Sequence, residues 1–219
     1  MVFSARDSAL SGRWCTAAGP TRFPGAQFAK VSRTVLVHGG AGAVGHAAIQ
    51  LATWSGATVL ATVSSPEKAG LARKAGADHV IDYRTEDVAA RVAQLAPAGV
   101  HHIVDVDLGA NLAVDLAVLA HGGNINVYSC GDADCLPIPS REMLVKNVQL
   151  DFTFTYTTEP ESKANALSDV HAAAADGALE VGAEHGLPVR RYALDQVAEA
   201  HRAVERGVPG KVLVDVPSE

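Results

Sequence analysis

The chain has 219 residues, 48% hydrophobic and 19% charged, enough to bury a core in one domain or in one domain plus a small appendage. Its formal net charge of -6 supplies no basic field for nucleic acid or an anionic membrane surface, so neither is expected as a partner. The three cysteines, Cys15, Cys130 and Cys135, are too sparse for a disulfide scaffold and fit a reducing compartment. With no secretory signal and no apolar run of membrane-spanning length, the cytoplasm is the expected location.

Residues 1–32 mix Pro, Gly, Arg and Ser without helical or strand period and read as an irregular N-terminal extension; the alternative is that Trp14, Phe23 and Phe28 tuck onto the domain surface. From Thr34 the pattern changes. "TVLVHGGAGAVGHAAIQLA" (34–52) opens as a strand, tightens through glycines and resumes as a helix, and "ATVLATV" (57–63) is a second buried strand. Ser65 caps the next helix with Pro66 at its first position, and Gly76 ends it. "DHVID" (78–82) is a third strand, Thr85 with Glu86 and Asp87 starts a helix, and "HHIVDVD" (101–107) is a fourth strand. "GANLAVDLAVLA" reads as a helix broken by Gly122 and Gly123, "NINVYS" (124–129) as the fifth strand, and "LDFTFTYT" (150–157) as the sixth, followed by a helix over "ESKANALSDVHAAAADG". The chain ends in a helix, "RYALDQVAEAHRAVERG", with apolar positions at Leu194, Val197, Ala198, His201 and Val204, and a short strand "KVLVDV". There is no internal repeat. The alternation predicts an α/β fold, a doubly wound parallel sheet covered on both faces.

Gly40, Gly42 and Gly45 form G-x-G-x-x-G after a strand and at the opening of a helix, the arrangement of a Rossmann dinucleotide site. Gly40 is expected to take a backbone conformation closed to other residues, Gly42 to admit a pyrophosphate, and Gly45 to let helix and strand pack closely. The alternative is that the glycines only permit tight packing. An Asp or Glu about 20 residues further on would hold a free ribose 2′-hydroxyl. That place reads "TVSSPEK": Val63, Ser64 and Ser65 carry no carboxylate, and the hydroxyls with Lys68 suit a 2′-phosphate, so NADPH is preferred to NADH. Against this stands the reading of Ser65 as a helix cap and Lys68 as a solvated charge, with Glu67 tempering the local field.

Other chemistries are disfavoured. No tyrosine has the lysine four residues later that a short-chain reductase needs, and "GVPGKV" (207–212) lacks the Ser or Thr of a phosphate-binding loop and reads as a turn. His101 and His102 adjoin in a strand and point to opposite faces; Cys130 and Cys135, with Asp132 and Asp134 between them, read as a surface loop. His38 reads as a space-filling residue at a strand end, and Asp105, Asp107 and Asp115 show no pairing for general acid–base work. No catalytic residue and no metal site are assigned.

The segment from Arg33 to Val216, through "TVLVHGGAGAVG", "TVSSPEKAGLARKAGADHVIDYRTED", "AHGGNINVYS" and "YALDQVAEAHRAVERGVPGKVLVDV", resembles the zinc-independent quinone oxidoreductases of the medium-chain dehydrogenase/reductase superfamily, the zeta-crystallin group. The resemblance implies an NADPH-binding Rossmann domain beside a GroES-like substrate domain, and reduction of quinones or related enones. By position it places Ala41, Gly42, Ala43 and Val44 at the pyrophosphate and Ser64 and Lys68 at the 2′-phosphate. Tyr83 lies at the adenosine, Asn111 near the adenine side, and Tyr128, Ser129, Cys130 and Gly131 at the nicotinamide. It puts Phe152 to Tyr156 near that ring or in a partner's edge strand, with a homodimer formed through Leu150–Thr157. In that family most of the substrate domain precedes the glycine motif, where this sequence has only residues 1–32. The expected division is therefore an extension (1–32), an NADP(H)-binding domain (33–185) and a return segment of the substrate domain (186–219), whose strand exposes an apolar edge. Two functions follow: an NADPH-dependent oxidoreductase, or a catalytically silent NADPH-binding module.

Overall fold

Strands rich in Val, Leu and Ile on both faces belong in the middle of a parallel sheet, since each face must be covered. The computed structural model describes residues 33–131 and 135–217; the extension read at 1–32 lies outside them. Six strands form one sheet: β1 (Thr34–Val37), β2 (Thr58–Val63), β3 (His79–Asp82), β4 (Val100–Asp105), β5 (Leu119–Val127) and β6 (Gln149–Phe152). Their order is β3-β2-β1-β4-β5-β6 and every pairing is parallel. The crossovers carry α1 (Ala43–Trp54), α2 (Pro66–Lys74), α3 (Val88–Leu95) and α4 (Leu108–Val118), then α5 (Ser140–Lys146) between β5 and β6. This is the doubly wound α/β order.

Alternation along each strand divides the core in two. Val35, Val37, Val59, Ala61 and Val63 pack with Ala48, Ile49 and Ala52 of α1 and Ala69 and Ala72 of α2. Leu36, Leu60, Ile81, Ile103 and Ile125 pack on the other face with Val92 of α3 and Leu108, Leu112 and Leu116 of α4. Ser65 caps α2 as expected, its hydroxyl accepting from Lys68 N at 3.3 Å, whereas α3 is capped by Asp87 and not Thr85.

The fifth strand starts five residues earlier than its apolar run, at Leu119, and takes in Gly122 and Gly123. Pairing with β4 jumps from Val100↔Leu119 to His102↔Asn124, so the glycines form a bulge; a Cβ on Gly123 would stand 2.7 Å from the Leu119 side chain. The sixth strand stops at Phe152; Thr153 still donates its amide to Val127 O at 2.8 Å, and the alternating residues after it, through Thr157, enter a turn. α5 has no sequence expectation behind it because it buries none of its residues.

Helix α6 (Pro160–Ala175) leads to the tail. There the segment read as one long helix divides into a strand, β7 (Val189–Ala193), one 3-10 turn (Leu194–Gln196) and α7 (Val197–Glu205), before β8 (Lys211–Asp215). β7 and β8 pair in parallel as a separate two-stranded sheet. The apolar positions Leu194, Val197 and Val204 are 42–51% exposed; α7 buries Ala200 and Ala203 against Val212 instead.

Candidate functional site

Sheet order reverses between β1 and β4, so the loops leaving their C-terminal ends diverge and leave a crevice. The glycine turn forms its first wall. Gly39, not Gly40, supplies the left-handed backbone, with φ of 69°. Gly40 is required for packing: a Cβ there would lie 2.8 Å from Ala61 Cβ and 3.0 Å from Ile49 Cδ1. At Gly45 a Cβ would come within 2.3 Å of Gly39 O, so only glycine lets α1 press onto the turn. At Gly42 an added Cβ meets only Gly39 O, at 3.4 Å, so the protein's own packing does not require its bareness. Gly42 is the N-cap of α1 and makes no side-chain cap; the first-turn amides of Ala43, Val44 and Gly45 therefore face the crevice end without a side-chain acceptor from the cap. Such an end, with the helix dipole, suits an anion.

The adjacent end of β2 brings Ser64, Ser65 and Lys68 beside this turn. Lys68 Nζ donates to Ser64 Oγ at 3.0 Å, holding cation and hydroxyl together, while Ser65 Oγ is engaged in the cap of α2. Tyr83 follows β3, its amide donating to Val63 O at 3.1 Å and its side chain 52% exposed. Across the crevice, Cys130 bridges to Asp107, which fixes the segment Tyr128 to Gly131 next to the loop after β4. Gly131 has φ of 62°, and a Cβ on it would meet Asp107 Oδ1 at 2.8 Å. Asn111 Nδ2 donates to Asp105 Oδ1 at 2.8 Å, so its amide is directed down into the sheet. All fifteen expected positions thus lie at the C-terminal ends of the strands or in the loops and first helical turns that follow them.

Two features were not expected. The first is a buried polar cluster under the crevice. His38 Nε2 donates to Asp115 Oδ1 at 2.8 Å, and its Nδ1 lies 3.0 Å from Thr62 Oγ1. Asp105 Oδ1 accepts from the Asp107 amide at 2.8 Å as well as from Asn111. The bond to Asp115 makes His38 part of a polar cluster, which corrects the reading of it as a space-filling residue, and the charge of Asp105 reaches Asp115. Burial raises the Asp115 carboxyl to about 6; His38 opposes the rise, and the charge of Asp105 adds to it. Burial, then Asp105, also pushes the Tyr128 phenol up. The sequence signal lay in the positions of these residues, His38 just after β1, Asp105 at the end of β4 and Asp115 two turns inside α4. The second feature is the loop before β8: Gly210 forms an isolated parallel bridge with Gly42, so the "GVPGK" turn rests against the glycine turn.

The remaining candidates stand elsewhere. At the opposite end of the sheet, His101 Nδ1 accepts from Thr34 N at 3.0 Å and His102 lies 2.8 Å from Arg33 Nη1; burial and then the Arg33 charge hold His102 down at about 4. On α1, His46 Nε2 donates to His185 O at 2.9 Å, and burial lowers its pKa. Cys130 and Cys135 are free thiols; Asp132 and Asp134 lie outside the described residues. Among the described residues no group of three or more His, Cys, Asp or Glu is placed to hold a metal ion, and no helix is long and apolar enough to cross a membrane.

Comparison with known proteins accords with this geometry. The family model described as zinc-binding dehydrogenase matches residues 43–172. The Homo sapiens quinone oxidoreductase is 28% identical over 188 residues, which cover 84% of this chain and 55% of that protein. A mycobacterial protein solved in complex with NADPH superposes with a TM-score of 0.74 at 29% identity, over 96% of this chain and 62% of that one. A quinone oxidoreductase of Pseudomonas syringae pv. tomato gives 0.75 at 25% identity, with the same coverage of 96% and 62%. The chain therefore spans about half the length of the curated relatives it matches.

Proposed function

The chain belongs to the zinc-binding dehydrogenase family, and from that premise we propose that it binds NADPH in the crevice between β1 and β4 and acts as an oxidoreductase on quinones or related enones. One observation carries the cofactor choice. Lys68 Nζ and Ser64 Oγ are held 3.0 Å apart where β2 ends, and Val63, Ser64 and Ser65 offer no carboxylate to repel a 2′-phosphate. The bare cradle at Gly42 fits a diphosphate in the same way, since its openness serves no internal packing.

The residues divide the work. The amides of Ala41, Gly42, Ala43, Val44 and Gly45, with the α1 dipole, hold the diphosphate; Gly40 keeps the turn close to β2. Ser64, Ser65 and Lys68 take the 2′-phosphate, Tyr83 flanks the adenosine, and Asn111 stands on the adenine side. Tyr128, Ser129, Cys130 and Gly131 border the nicotinamide end. When bound, NADPH supplies the hydride; the protein's part is to orient it and exclude water. A quinone so reduced takes its proton from solvent, so no proton-transfer residue is assigned. The described residues do not fit a zinc ion, and no step passes through one.

Residues 33–185 make the cofactor-binding domain and 186–219 the return segment of a substrate domain, with the exposed Leu194, Val197 and Val204 facing that domain. β6 is an edge strand that ends on exposed Phe152 and is followed by exposed Phe154 and Tyr156, which supports a homodimer through Leu150–Thr157. A second reading is a catalytically silent NADPH-binding module, for which the same glycine turn and Ser64–Lys68 pair suffice. Titration with NADPH and NADH, beside NADPH oxidation with a panel of quinones, tests both. Tighter binding of NADPH with turnover supports the enzyme, binding without turnover leaves the module, and absence of binding overturns both.

A further inference from the structure

Asp105 and Asp115 are 0% exposed, and the Oδ2 atom of each is buried without a donor. Their other oxygens are satisfied: Asp105 Oδ1 by the Asp107 amide and Asn111, and Asp115 Oδ1 by His38 Nε2. Both acids border His38, Asp115 through its bond to Nε2 and Asp105 as the residue after Val104, whose carbonyl accepts from His38 N at 3.0 Å, and they are close enough for the charge of Asp105 to act on Asp115. Ionised carboxylates only accept, so two of them side by side leave both buried Oδ2 atoms unsatisfied unless one carries a proton. The groups facing the pair are His38 just after β1, with Thr62 of β2 behind it, Asn111 from α4 and Tyr128 after β5. Both ring nitrogens of His38 have partners, Nε2 in Asp115 Oδ1 and Nδ1 in Thr62 Oγ1. Among the described residues no Lys or Arg pairs with either acid.

We propose that Asp105 and Asp115 share one proton, that this proton braces the two loops of the crevice, and that the dinucleotide binds most tightly with the proton in place. His38 immediately precedes the left-handed Gly39, and Asp105 holds the amide of Asp107, the N-cap of α4. One hydrogen bond therefore joins the root of the glycine turn to the loop opposite. A diphosphate above the pair disfavours a second buried negative charge, so binding draws a proton from solvent onto the pair. This last step rests on the NADPH reading; the shared proton does not.

The experiment measures NADPH affinity from about pH 5 to about pH 8 for the wild type, D115N and D105N, whose amides keep a donor between the two positions. The cofactor's own phosphate titrates in all three, so the difference between proteins is the readout. The wild type loses affinity with rising pH by up to about tenfold per unit more than either variant. Identical pH dependence in all three overturns the coupling. Thermal unfolding without cofactor tests the proton by itself. A carboxyl raised from 3.8 to about 6 contributes fully below its unfolded value and loses that contribution as pH rises through about 6. D115N therefore gains on the wild type across that window and keeps its lead above it. A D115N protein less stable by the same margin at every pH shows a plain His38 ion pair and sinks the proposal. NADPH binding to none of the three refutes the cofactor reading, while the unfolding curves still decide the proton.

Discussion

The sheet of β1 to β6 and the pair β7–β8 are both parallel, but only the first is finished. In the large sheet, Leu36 and Ile103 go to one face and Val35, Val37 and Val104 to the other, and helices cover both. In the pair, one helix offers two alanines to Val212, and Val189, Leu194, Val197, Val204 and Val216 stay 39–72% exposed. A two-stranded sheet with so small a core is marginal alone. The contrast teaches that strand pairing is local while stability follows burial on both faces, so the tail depends on what it rests against. Part of that support is the contact of Gly210 with Gly42.

The contrast is broken most forcefully by cutting the same kind of residue from each sheet. Ile103→Ala removes a fully buried side chain at the centre and lowers stability by about 4 kcal/mol in urea unfolding. Val212→Ala, in the small cluster, costs about 1 kcal/mol. Equal losses would show that the tail is as well packed as the sheet. Next in size is the glycine turn. Gly45→Ala drives a Cβ toward Gly39 O, a backbone atom that cannot yield, and costs about 3 kcal/mol along with binding. Gly42→Ala meets only a 3.4 Å contact, so the unfolding midpoint holds within about 0.5 kcal/mol while NADPH affinity falls at least tenfold. A stability loss in Gly42→Ala matching that of Gly45→Ala would mean that both glycines serve packing alone.

These residues also mark where sequence was legible. Continuous apolar runs at 34–37 and 58–63 admit few structures besides buried parallel strands, and a glycine triplet between strand and helix fixes the crevice. The choice between Gly39 and Gly40 for the left-handed position was not legible, because the motif records spacing and the turn's φ values depend on how β1 meets β2. Nor was the Asp105–Asp115 contact, which joins residues from a strand and a helix and exists only once β4 and α4 are packed. In the tail, "RYALDQVAEAH" carries helical period through residues that form a strand, since pairing with β8 outweighs a weak local preference.

A smaller effect sharpens the comparison at the rim of the sheet. Lys68→Ala removes the cation held at Ser64, and the charge-assisted contact proposed for it with a 2′-phosphate would be worth about 1.5 kcal/mol. NADPH binding weakens by about tenfold in calorimetry, NADH binding is unchanged, and the unfolding midpoint does not move. Equal weakening of both nucleotides would make Lys68 a general phosphate contact and remove the basis for preferring NADPH.

The smallest expected change is the most direct statement about the tail. Val204 occupies one of the five positions at which helical period places an apolar face, and a valine buried in a core loses about 3 kcal/mol or more when made polar. In the folded chain Val204 is 42% exposed, while its neighbour Ala203 is 1% exposed and carries the packing. Val204→Ser therefore changes stability by no more than about 0.5 kcal/mol, and Ala203→Ser, which buries a hydroxyl against Val212, costs about 1.5 kcal/mol. Chemical unfolding of the two variants reads this order. A reversed order would place Val204 in a core that this chain completes by other contacts, and the tail would then be as finished as the sheet beside it.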